Sequence, residues 1–245
     1  MASVRTRQPS GHMRTGTSRL LAAYPTGADT LAGTGRVFSM SGTLNKTAIL
    51  TILALATAIY ASLTVTSIGA GFVLALVAAI VVSLVGMYRP RTAVVMAPVY
   101  ALLEGYVLGV VSASYARVDG AVVPLAVVGT ATVFAATMVA CRTGLIRPGR
   151  RFVQVTMVAT FGLLAVLIVS LFVLPGLVGP FGVVIAAFAL VIGAANLIVD
   201  FGYIGNLERT GLPANAEWHA ALMLMVSLVL VFLSLLRLIG GAGGR

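Results

Sequence analysis

Apolar positions along this chain come in long unbroken blocks, without the alternation of a half-buried strand or the narrow stripe of a surface helix. After a polar stretch of residues 1–45, seven such blocks follow: about Thr47 to Ser67, Gly71 to Met87, Val94 to Tyr115, Val122 to Cys141, Val153 to Leu174, Phe181 to Leu207 and Trp218 to Ile239. Each is close to the roughly 20 residues that a helix needs to cross about 30 Å of hydrocarbon. The pattern predicts an all-α membrane protein, a seven-transmembrane helical bundle forming one domain over residues 46–240, with no internal repeat. Pro175 and Pro180 are expected to bracket the loop between the fifth and sixth spans and to stop the helices there.

Composition agrees with the pattern. Hydrophobic residues make up 60% of the chain, charged residues 9%, and mean hydropathy is +1.08. A soluble globular domain carries about a quarter charged residues. The net charge of +10 arises from 16 Lys+Arg against 6 Asp+Glu, but the basic residues sit in the N-terminal stretch and in alternate loops. Membrane topology explains that placement better than nucleic-acid binding does. The single cysteine, Cys141, excludes an internal disulfide and a multi-cysteine metal site.

Residues 1–45 scatter Arg5, Arg7, Arg14, Arg19 and Arg36 among Ser, Thr, Gly and Pro. This composition predicts a disordered basic tail, unprocessed because no apolar run of signal-peptide length precedes Thr47. The tail is suited to contact with anionic membrane lipid. Arg89 and Arg91 follow the second block, Arg142, Arg147, Arg150 and Arg151 the fourth, and Arg209 the sixth, whereas the opposite loops hold only Arg117 beside Asp119. The bias predicts a multi-pass cell-membrane protein with the N-terminus cytoplasmic and the C-terminus outside. An Arg-rich, acid-poor leader also matches mitochondrial transit peptides, which makes the mitochondrial inner membrane the alternative.

Few ionisable groups fall inside the blocks, chiefly Glu104 and Asp200. A carboxylate in hydrocarbon costs at least about 2.5 kcal/mol, so such residues face a bundle interior or a water-filled path. Glu104 stands about 18 Å along its helix from Thr92, near the midplane. It is read either as an interhelical hydrogen-bonding group or as part of an ion path. Beside it, Gly105 and Gly109 are four apart and let another helix approach closely. Asn196 and Asp200 are also four apart and share a helix face. If the helix continues through Leu207, Asp200 lies about 12 Å inside the boundary; if it stops at Asp200, the carboxyl is interfacial.

The segment Val199-Asp200-Phe201-x-Tyr203-Ile204, then Glu217-Trp218-x-Ala220-Ala221, and finally Leu235-Leu236-Arg237-Leu238 resembles the Bax inhibitor-one family of membrane proteins. Glu104-Gly105 with Leu108-Gly109 is similar to its bacterial branch, which points to a bacterial inner membrane. The resemblance covers roughly Lys46 to Gly240. It implies six helices around a central seventh, acting as a pH-sensitive calcium leak, and links bacterial members to regulation of a membrane AAA protease. It also implies that Asp200 is one of two aspartates sharing a proton. The second position, ten residues before Arg237, is Ser227 here. A hydroxyl–carboxylate hydrogen bond is feasible, since Ser227 lies about 14 Å along its helix from Trp218, but a paired-carboxylate switch is not.

Other candidates weigh less. Glu217 and His219 open the last helix, where Glu217 meets the helix dipole and Trp218 the interface, so anchoring is the expected role. Arg237, about 28 Å along that helix, is expected to snorkel outward, with an inward counter-ion role as the alternative. Cys141 has no His or Asn partner in sequence to make it a catalytic thiol, and His12 lies in the tail. The leading function is a cation leak using Asp200 and Glu104, with Asn196 and Ser227 near the sensor. Two carboxylates fall short of the roughly six to eight oxygens of a tight Ca²⁺ site, so binding is expected to be weak and transient, with no metal centre and no other cofactor. The alternative is a non-conducting regulator of a membrane protease or other membrane partner. No enzymatic role is expected: an intramembrane aspartyl protease needs two facing aspartates, and Asp200 is the one aspartate within a span.

Overall fold

A computed structural model describes residues 37–65, 69–146, 148–172 and 178–243. Among the described residues are seven α-helices: α1 (Met40–Thr64), α2 (Ala70–Tyr88), α3 (Ala93–Ala116), α4 (Val122–Arg142), α5 (Arg150–Phe172), α6 (Val178–Glu208) and α7 (Ala216–Gly243). A 3-10 turn, Pro90–Thr92, links α2 to α3. The described residues contain no strand, only an isolated bridge between Val37 and Pro213. Within them six helices are long and apolar enough to cross a membrane, α5 being the one outside that set.

Most helix ends fall within about three residues of the apolar blocks, as expected of ends that fray. The first helix departs from this. It begins at Met40, well ahead of Thr47, because Ser39 caps it: the Ser39 hydroxyl accepts the Gly42 N–H at 3.0 Å. Residues 37–45 are therefore part of the folded unit and correct the boundary drawn for the polar tail. Phe38 among them is 2% exposed, while the Ser- and Gly-rich composition around it hid that anchor. Residues 1–36 lie outside the described residues, as do Arg147, Pro175 and Arg245. Pro180, expected in a loop, lies inside the first turn of α6, where proline's missing N–H has no intrahelical partner to lose.

Contacts at the helix ends show the helices alternating in direction. Tyr115 at the end of α3 meets Gly240 near the end of α7. At the opposite end the start of α7 reaches the end of α2 through His219 and Gly86. The end of α4 touches the start of α1 through Arg142 Nε and Met40 Sδ, 3.3 Å apart. In sequence, the helix ends on this second side carry Arg89, Arg91, Arg142, Arg150, Arg151 and Arg209.

Among the described residues α7 packs against α1, α2, α3, α4 and α6, while α5 packs against α6. Two apolar clusters lie on different faces of α7. Ala220, Leu224 and Val231 join Leu197 and Phe201 of α6, whereas Ala221, Leu222, Met225 and Val229 join Ala97, Tyr100 and Ala101 of α3 with Leu50 and Ala54 of α1. Outward faces are also apolar: Ile52, Ile59 and Leu63 on α1, Leu74 on α2, Val128 on α4 and Val158 on α5 are all exposed. In water such faces would be costly, and in lipid they are solvated.

The α1–α3 seam is the closest approach that the sequence foresees. A Cβ added at Gly105 would collide with the backbone of Ala54, and one at Gly109 with the backbone of Ala58. Glycines four apart thus meet alanines four apart, and two backbones come together where no side chain fits between them. The Gly-xxx-Gly spacing is a packing device here.

Candidate functional site in the α6–α7 seam

The helix carrying Asp200 does not stop there. α6 runs unbroken to Glu208, which places Asp200 about 12 Å before the helix end by helical rise. Its carboxyl is buried, 6% exposed, and turns to α7, where the Ser227 hydroxyl donates a hydrogen bond to Asp200 Oδ2 at 2.5 Å. Ser227 is equally buried at 6%. The pair is flanked by Leu197, Phe201, Leu224 and Val231 of the α6–α7 cluster, with Phe134 of α4 tilted against Phe201 at 5.3 Å between ring centroids. The residue standing where the resemblance implies a second aspartate is therefore the partner of Asp200 in space.

Chemically the arrangement is a carboxyl with one fixed hydroxyl. Serine can donate to a carboxylate or accept from a carboxylic acid, so the hydrogen bond survives either protonation state. Two aspartates at these positions would repel when both ionised; this pair does not. Among the described residues an ionised Asp200 has one donor, Ser227, where a carboxylate accepts several, and the remaining demand would fall on water or a cation.

Asn196 does not join the pair. Its side chain exchanges hydrogen bonds with Thr160 of α5, Nδ2 to Oγ1 at 2.9 Å and Oγ1 to Oδ1 at 3.1 Å. Residues four apart differ by about 40° around a helix. Because α6 packs against both α5 and α7, that angle is enough to send Asn196 one way and Asp200 the other. Thr160 was not foreseen; its signal was the polar pair Thr156 and Thr160, four apart in a block whose other polar residues are Gln154 and Ser170.

Glu104 lies elsewhere again. It is buried, 6% exposed, one turn beyond Tyr100 and Ala101 on the α3 face that packs into the α1–α3–α7 cluster. No hydrogen bond or ion pair of its carboxyl occurs among the described residues. Glu104 and Asp200 thus sit on different sides of α7, and the structure does not bring them together. Arg237 is half-buried near the far end of α7, with its guanidinium against Gly182 of α6. Cys141 sits beside α6, its Sγ 4.0 Å from the Ile198 carbonyl oxygen.

A second polar centre, at the start of α7, was read from sequence as simple anchoring. Glu217 is 5% exposed, and its Oε1 accepts both the Ser39 N–H at 2.9 Å and the Ser39 hydroxyl at 3.1 Å. Its Oε2 takes the Lys46 ammonium at 2.7 Å. Lys46 also donates to the Ala214 carbonyl at 2.8 Å and lies over the Trp218 ring, 5.4 Å from the centroid. His219, also buried, bonds through Nδ1 to the Gly86 carbonyl at 3.1 Å. The sequence signal for this centre was a lysine at the front of the first apolar block with an acid at the front of the last.

A family model described as Bax inhibitor 1 like matches residues 4–242. The chain belongs to the Bax inhibitor 1-like family. It is a multi-pass membrane protein of that family, with the match reaching from the N-terminal stretch almost to the end of the chain. No curated protein matches it significantly.

Proposed function

We propose that this Bax inhibitor 1-like protein is a proton-responsive cation leak, calcium being the family's expected ion, with α7 as the central helix of the bundle and the Asp200–Ser227 pair as its sensor. The observation that carries the reading is the buried hydrogen bond between Asp200 of α6 and Ser227 of α7. A carboxyl held about 12 Å inside a membrane helix end is costly to keep ionised without solvation, so its ionisation favours entry of water or a cation at the seam. Binding there is weak and transient, as conduction requires. Glu104, on the other side of α7, is an additional polar contact rather than a ligand shared with Asp200.

We place the arginine-bearing ends, and with them the N-terminus, in the cytoplasm and the C-terminus outside, in a bacterial inner membrane. A reporter fused after Arg245 is then active outside, and one inserted near Arg147 is active inside; both on one side would mean a miscounted span.

The decisive experiment is cation flux into proteoliposomes across a pH series. Wild type is expected to conduct more as Asp200 loses its proton, and Asp200→Asn to give a flat profile. Ser227→Asp creates two carboxyls that titrate as a coupled pair, so its profile should gain a second step. Identical profiles for wild type and Asp200→Asn would remove the sensor role and favour the non-conducting regulator of a membrane protease or other partner.

A further inference from the structure

We infer that residues 37–46 form a strap that sets the position of the α6–α7 hairpin, and through it the Asp200–Ser227 seam, making the N-terminal segment a control point for that site. The strap holds the hairpin at both of its roots. On the α6 side, the Met40 N–H donates to Glu208 Oε1 at 3.0 Å. On the α7 side, Ser39 and Lys46 supply three donors to the Glu217 carboxylate. Between the roots, the Phe38 N–H bonds to the Leu212 carbonyl at 2.7 Å, Val37 bridges to Pro213, and Lys46 reaches Ala214.

Two features separate this arrangement from an ordinary chain end resting on a surface. Gly42 faces Glu217 so closely that any Cβ would overlap the carboxylate. A residue of poor helix propensity in the first turn of α1 thus makes room for the acid of α7. The Phe38 ring, moreover, belongs to the same apolar cluster as Leu207, Leu212, Ala216 and Phe201. Phe201 is the neighbour of Asp200, so a continuous apolar contact runs from the strap to the seam.

The strap also has a defined alternative. If it leaves, the Glu217 carboxylate loses all three donors at once, together with the cover that Gly42 gives it. Water then takes the place of those donors at the carboxylate, and the first turn of α7 loses its polar tie to residues 37–46. The hairpin therefore has two arrangements, strap on and strap off, and whatever engages the chain N-terminal to Val37 biases between them. This coupling is independent of conduction and is read without measuring flux.

Hydrogen exchange of the full chain in lipid nanodiscs tests it. Gly42→Val drives a side chain into the Glu217 carboxylate, and Glu217→Gln keeps the volume while removing the charge that Lys46 pairs with. Both are expected to speed exchange in residues 37–46 and, together with it, in residues 203–222 by about tenfold, with α1 beyond Leu50 and α3 unchanged. Should Gly42→Val fail to fold, Glu217→Gln carries the same expectation. Faster exchange in the strap with an unchanged hairpin would overturn the inference and leave residues 37–46 as a terminal anchor. Unchanged exchange in both segments would overturn it as well, by showing that these contacts do not hold the strap.

Discussion

Along α1 and α3 the helices meet through absence, since Gly105 and Gly109 present no side chain and the Ala54 and Ala58 backbones fill the space. Along α6 and α7 they meet through a buried polar pair, Asp200 and Ser227, set among large apolar side chains. The first seam gains dispersion contacts over two backbones, and the carboxyl that borders it, Glu104, makes no hydrogen bond among the described residues. The second gains one hydrogen bond and accepts the cost of a carboxyl in the membrane. Dispersion and fit suffice to hold two helices in lipid, so a carboxyl is not needed for adhesion. A carboxyl hydrogen-bonded from one helix to the next, as Asp200 is to Ser227 and Glu104 is to no described residue, is what directs attention to α6 and α7 for function.

The comparison breaks most violently at Gly105. Gly105→Leu puts four carbons against the Ala54 backbone, where neither partner can rotate away, and overpacking of this kind costs about 3 kcal/mol or more. Loss of the folded, monodisperse species in detergent is the expected result. Gly205→Ala serves as control, because a Cβ there meets nothing within 4 Å. A folded Gly105→Leu protein with unchanged thermal stability would show that the α1–α3 seam is not close-packed.

The clasp at the start of α7 comes next. Glu217→Ala leaves the Lys46 ammonium without its carboxylate and Ser39 without an acceptor. Breaking a fully buried ion pair costs about 3–5 kcal/mol, but the Lys46 side chain keeps 18% exposure and can turn to water, so about 2 kcal/mol is expected. Thermal unfolding in detergent should show a clear drop for Glu217→Ala and a similar drop for Lys46→Met, with the double variant no worse than either. Additive losses would mean that the two residues act separately.

The elements were legible because lipid imposes a simple code: blocks of about 20 apolar residues become helices almost wherever they occur. Asp200 and Glu104 stood out for the same reason, each a rare charge in such a block. Their partners were less visible. Ser227 could be placed at the depth of Asp200 by helical rise, whereas the turning of Asn196 toward Thr160 depends on which helix lies on which side of α6, and periodicity does not specify neighbours. The strap was hidden by its composition. Ser39 and Gly42 read as tail residues, and Lys46 as the first residue of the membrane domain, until Glu217, more than 170 positions away, is seen to accept Ser39 and Lys46 and to fill the space over Gly42.

The smallest expected effect probes the site pair itself. Ser227→Ala removes one hydrogen bond and leaves Asp200 without its hydroxyl donor, while Asp200→Asn keeps the shape and removes the charge. Hydrogen bonds between membrane helices average about 0.6 kcal/mol in double-mutant cycles and reach about 1.7, because the separated helices find other partners in lipid. A cycle on Ser227→Ala and Asp200→Asn, read by reversible unfolding in detergent, is expected to give a coupling of about 1 kcal/mol, toward the upper part of that range because both groups are buried. Such a value is too small for this pair to hold α6 against α7, a task that Phe201, Leu224 and Val231 already perform. A coupling near zero would mean that the hydroxyl and the carboxyl are neighbours without a bond. One above about 3 kcal/mol would make the seam depend on its polar pair for stability, and the contrast with the α1–α3 seam would become one of adhesion rather than function.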